Sequence, residues 1–131
     1  MNEITVLKVA PMCAPKVVAL KNDLRSLQEA VSIGADYTGL IEVLELDART
    51  CLVLNEEGKL IGLQPNRRLG GDVLVGVFYV VGQDREGNFT SLSPVAIEKY
   101  KQVFAQPETI SAEEVEETLN ASVYLQFLME G

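Results

Sequence analysis

The chain has 131 residues, 47% hydrophobic and 23% charged, which suits one folded domain and excludes a disordered chain lacking the apolar surface to offset the entropy of ordering. Its 11 Lys and Arg stand against 19 Asp and Glu, a net charge of −8. Binding to a phosphate backbone depends on cations displacing counterions, so direct nucleic-acid binding is not expected.

Ile4 to Ala10 is rich in β-branched residues and reads as a strand, broken by Pro11 to Pro15. Lys16 to Leu20 reads as a second strand, able to pair with the first as a hairpin. Asn22 or Asp23 can cap a helix running from about Asp23 to Ser32, with Leu24, Leu27 and Val31 at helical spacing and Gly34 after it. Leu40 to Leu46 and Cys51 to Leu54 are the next strands, and Asn55 to Lys59 is a turn. Lys59 to Leu63 is expected to return as a further strand. Pro65 then presets a turn or one short helical turn through Leu69, punctuated by Gly70-Gly71-Asp72.

Gly76 to Gly82 is the clearest strand, and its unbroken apolar character predicts a central position covered on both faces. A polar turn from Gln83 to Asn88 leads to a short strand at Phe89 and Thr90. Ser93-Pro94 predicts a helix start, with serine as cap, proline at the first helical position, and Leu92 and Ile97 placed as a hydrophobic staple. Ile97, Tyr100 and Phe104 form its apolar stripe. Beyond Pro107, Ser111 to Glu114 has the form of a capping box, and Val115, Leu119, Val123 and Phe127 recur every four residues. The glutamates in its first turns suit the helix dipole. Residues Tyr124 to Met129 are apolar almost all round, which predicts burial on more than one side. The expected fold class is therefore α+β, a mostly antiparallel sheet with two or three helices packed on one side. Residues 1–106 form the core domain, and 107–131 a C-terminal helix appended to that core or to a partner subunit.

Catalytic equipment is sparse in the sequence. There is no histidine, which removes Ser-His-Asp and Cys-His machinery and every His-ligated metal site. Gly70-Gly71 lacks the Lys-Ser/Thr that follows in a phosphate-cradling loop, so neither a cofactor nor a metal is expected. The two cysteines, Cys13 and Cys51, read as thiols of a reducing compartment. No apolar run reaches the roughly 18 residues of a membrane span, and the N-terminus lacks the charged flank and long apolar segment of a secretory signal. A cytoplasmic protein that does not enter the membrane is the expectation.

Gln64-Pro65-Asn66-Arg67-Arg68 is the most unusual polar stretch. A guanidinium is a planar fork suited to carboxylate or phosphate, and asparagine both donates and accepts. Asn66, Arg67 and Arg68 are therefore the candidate ligand-binding residues for an anion or an acidic surface. The plainer reading gives Arg67 an internal ion pair and leaves Arg68 in solvent.

Asn55-Glu56-Glu57-Gly58-Lys59-Leu60, then Gly62 to Leu69, Gly76 to Gly82, Phe89 to Ser93 and Glu98-Lys99-Tyr100 together resemble the family catalogued as domain of unknown function 3846. The opening Ile4 to Val9 matches its first strand, and the resemblance covers about residues 3 to 105. One departure is Pro94-Val95, where relatives more often carry acidic residues. The resemblance implies a setting in phages, prophages or conjugative elements of Gram-positive gut bacteria and names no chemistry. The resulting expectation is a small accessory protein of a mobile element, not an enzyme, that binds another protein. A homodimer through Tyr124, Leu125 and Leu128 on the last helix is one form of this. The alternative is a small-molecule or nucleotide binder using the Asn66-Arg67-Arg68 loop.

Overall fold

The computed structural model describes residues 2–119. Its elements are β1 (Glu3–Val9), β2 (Lys16–Lys21), α1 (Leu24–Ala30), β3 (Ile41–Asp47), β4 (Thr50–Asn55), β5 (Pro65–Leu69), β6 (Asp72–Val75), β7 (Phe78–Gln83), β8 (Phe89–Thr90) and α2 (Pro94–Val103). Residues 112–119 are helical again and are called α3. The main sheet has the strand order β2-β1-β7-β4-β3, with β8 pairing β7, and β5 and β6 form a separate two-stranded sheet. Every pairing is antiparallel. This is the α+β architecture that the element order implies. None of the described helices is long and apolar enough to cross a membrane.

β7 lies at the centre of the sheet, as its apolar run predicts, and alternation sends its side chains to two cores. Phe78 and Val80 join Leu7, Val9, Leu52 and Leu54 on one face, under Tyr100 and Phe104 of α2. Tyr79 and Val81 join Ile4, Val6, Cys51 and Val53 on the other, against Ala30 and Val31 at the end of α1. Helices were expected on one side only. Instead α1 and α2 take opposite faces, because both faces of β4 and β7 are apolar and each needs a cover.

The helix starts follow their caps. Asp23 Oδ1 accepts the Ser26 amide at 2.8 Å, and Ser93 Oγ accepts the Ala96 amide at 3.1 Å. Pro94 stands in the first turn of α2, where a missing N–H costs nothing. Tyr100 and Phe104 bury its apolar stripe, and Phe104 meets Phe78 edge-on at 5.1 Å between ring centres.

Two expectations between β4 and β7 are corrected. Lys59 to Leu63 is not a strand: the Ile61 amide reaches Glu57 O and the Leu63 amide reaches Gly58 O, so the chain coils through turns. Pro65 to Leu69 is not a turn but the strand β5, which reverses through Gly70-Gly71 into β6. Gly70 at φ 60° supplies the left-handed residue that this tight reversal requires.

Candidate functional site

The sequence directs attention first to Asn66, Arg67 and Arg68, and the register of β5 decides their fates. Pro65 pairs with Val75, but Arg67 pairs with Leu74, so one extra residue is accommodated at Asn66. Such a bulge breaks the strict alternation of a strand. Asn66 and Arg67 consequently both point inward, at 0% and 1% exposure, and Arg68 points out.

Inside, every donor of Arg67 is used. Nε and Nη2 both donate to Phe104 O at 3.1 Å, Nη2 also donates to Cys13 O at 2.5 Å, and Nη1 donates to Asn66 Oδ1 at 2.7 Å and Asn66 O at 3.3 Å. A guanidinium has five N–H groups, and these five bonds account for all of them. Asn66 Nδ2 donates to Val9 O at 2.9 Å and Gly76 O at 2.7 Å. Gly76 itself sits at φ 73°, and a Cβ there would come within 2.8 Å of Leu63. The pair thus ties β1, the loop after it, β5 and the end of α2 into one node. Burial pulls the Arg67 pKa down, and attraction to Glu108 opposes the shift.

Arg68 faces two carboxylates of the segment that follows α2. Its Nη1 donates to Glu108 Oε1 at 2.8 Å and its backbone amide to Glu108 Oε2 at 3.0 Å. Nε and Nη2 each donate to Glu114 at 2.7 Å, a fork-on-fork pair. These bonds raise the Arg68 pKa, and Arg68 in turn lowers that of Glu114. The simpler alternative is therefore reversed: Arg67 binds carbonyls, and Arg68 makes the ion pairs. The Ser111 half of the capping box forms, with Ser111 Oγ accepting the Glu114 amide at 3.1 Å, while the Glu114 carboxylate serves Arg68. Below this clasp Ile110 and Val115 pack on Leu63, Val73 and Val75. Lys59 Nζ joins Asp72 and donates to Thr118 Oγ1 at 2.9 Å. Tyr124, Leu125 and Leu128, the residues expected at a dimer interface, lie outside the described residues.

The surface left open is elsewhere, at the β3 end of the main sheet. β3 terminates the strand order and, among the described residues, pairs on one side only, with β4. Beside it lies a cavity of about 400 Å³ floored by Leu44, Leu54 and Leu74 and rimmed by Glu42, Lys59 and Asp72. Leu60 on its margin is 70% exposed, Leu40 just before β3 is 57% exposed, and Val43 within β3 is 42% exposed. Burial, then repulsion from Asp72 and Glu56, pushes the Glu42 pKa up, while Lys59 opposes the shift. At the far end of β3, Asp47 accepts the Tyr100 hydroxyl at 2.6 Å, which lowers the Asp47 pKa; burial, then this bond, raises that of Tyr100 to about 12. In the sequence β3 has the composition of an ordinary half-buried strand, and little marks it as a site. The one available signal is Glu42 and Glu45 bracketing two aliphatic residues.

Comparison with curated proteins and with solved structures gave no match. A family model described as domain of unknown function (DUF3846) matches residues 4–105, which takes in β1 through α2 and stops short of the segment that Arg68 clasps. With that match extending over most of its length, the chain belongs to the DUF3846 family.

Proposed function

We propose that this domain is a non-catalytic protein-binding module whose binding surface is the β3 edge and the groove beside it. The observation that carries the reading is a strand edge unpaired among the described residues, with exposed aliphatic side chains at Val43 and at Leu40 just before the strand, next to an apolar-floored groove. Sheet edges offer a row of free amides and carbonyls, and proteins normally blunt them with charge, proline or cover. An edge that keeps aliphatic side chains in water is suited to receiving another chain. The competing reading, a nucleotide gripped by Asn66, Arg67 and Arg68, needs donors that the fold has already engaged. The family resemblance supports a role among the accessory proteins of phages and conjugative elements, where binding a host protein is a common mode of action.

The test compares the wild-type chain with a Leu40→Asp/Val43→Asp variant. Both sites are exposed, so the fold should survive, as circular dichroism can verify. A partner captured by the wild type, lost by the variant, and protecting β3 amides from hydrogen exchange when added back supports the reading. Equal capture by both chains, with β3 amides exchanging as before, overturns it.

A further inference from the structure

The β3 edge has a chemical pattern that specifies its occupant. Its regular stretch runs from Ile41 to a register shift between Glu45 and Asp47, and within it Glu42, Val43, Leu44 and Glu45 form a continuous run in even register. Alternation divides them between the two faces. Glu42 and Leu44 line the groove, and Glu45 lies toward Cys51 on the opposite face. Each face thus offers one carboxylate and one aliphatic side chain. Neither glutamate is in an ion pair among the described residues.

Resting on the reading of this edge as a binding surface, we propose that its partner is a basic extended segment that adds to β3 as a further strand, with the pattern basic-aliphatic-aliphatic-basic. Directly opposed side chains on neighbouring strands interact most strongly, opposite charges favourably and like charges unfavourably. Acid-aliphatic-aliphatic-acid reads the same in both directions, so one partner pattern satisfies parallel and antiparallel addition alike.

The pattern weighs against two other occupants. A second copy adding β3 against β3 antiparallel, in the register that lays this run on itself, would set Glu42 against Glu45 twice, like charge on like charge. The other end of the sheet, β2, is basic, but its Lys16 and Lys21 are five residues apart where Glu42 and Glu45 are three apart, so copies cannot join head to tail with both pairs made. The surroundings favour an incoming cation: Glu56 and Asp72 add negative charge beside Glu42, which Lys59, paired with Asp72, offsets in part. A lysine set opposite Glu42 offsets repulsion that the free protein carries.

The experiment is an NMR titration of the isotopically labelled full chain with three synthetic peptides. These are Thr-Lys-Val-Val-Lys-Thr and its counterparts with glutamine or glutamate in place of both lysines. The lysine peptide is expected to move the amide signals of β3 and to bind about tenfold more tightly than the glutamine peptide at low salt. The glutamate peptide should not bind, and Glu42→Lys/Glu45→Lys should invert the preference. Equal binding of all three at β3 overturns the basic partner and leaves the edge-binding module standing. No response at β3 to any peptide overturns both.

Discussion

The two hairpins β3–β4 and β5–β6 carry most of the chain's distinctive polar residues and spend them in opposite ways. In β5 a bulge turns Asn66 and Arg67 inward, and their side-chain donors are consumed by carbonyls of β1, the following loop and α2. In β3 no bulge intervenes before Glu45, and Glu42 and Glu45 remain at an edge that is open among the described residues. The more eye-catching sequence, three strong hydrogen-bonding residues between a proline and two glycines, is structural. The unremarkable one stays at the surface. What separates them is where the hydrogen-bonding capacity goes, and residue type alone does not report that.

The largest expected break in this contrast is at Arg67. Arg67→Met keeps the length of the side chain but strands the carbonyls of Phe104 and Cys13 and the Asn66 side chain in the interior. Urea denaturation should show a loss of at least about 3 kcal/mol. Arg67→Lys should recover little, since an ammonium has three donors and no planar fork. A loss below 1 kcal/mol, on the order of a single hydrogen bond, would mean that the node is not the structural element described here.

A smaller effect is expected at the tether of β3. Tyr100→Phe removes the bond to Asp47 and should cost about 1–2 kcal/mol at neutral pH. The Asp47 pKa is depressed in the fold, chiefly by that hydroxyl, so its stabilisation is full above the ordinary value of 3.8 and is lost as pH falls through the lower folded value. Acid unfolding curves of Tyr100→Phe should accordingly be flatter over that window than those of the wild type.

The smallest effect has the opposite sign. Glu42 has a raised pKa, so its ionised form weighs against the fold at neutral pH, and the penalty shrinks as pH falls through the raised folded value and is gone below the ordinary value of 4.5. Glu42→Gln should therefore stabilise slightly at neutral pH, within about 0.5 kcal/mol, and not at all in acid. A destabilised Glu42→Gln would show that this carboxylate serves the fold and is not held in reserve for a partner.

Much of the scaffold is legible in the sequence, because local chemistry and global fold agree there. The β1–β2 hairpin, the caps at Asp23 and Ser93, Pro94 at its helix start and the doubly covered β7 each follow from spacing and residue type. The failures have a common cause in long-range contacts. Pro65 and three polar residues look like a loop, and only the packing of α2 and the loop after β1 around Arg67 makes them a strand. Glu114 looks like a capping residue until Arg68 takes it from 46 positions away. The placement of α1 and α2 on opposite faces is implicit in the apolar alternation of β4, yet it emerges only once β4 is known to pair β7.

The two thiols have a practical consequence. Cys51 is wholly buried in β4, and burial, with a smaller push from Glu45, raises its pKa to about 11, so it holds almost no thiolate at neutral pH. Cys13 is exposed, on the loop whose carbonyl Arg67 holds. The native chain thus offers a single attachment point for a maleimide dye, placed on the loop beside the buried guanidinium. Its fluorescence would follow the release of that loop in real time, without any engineered cysteine.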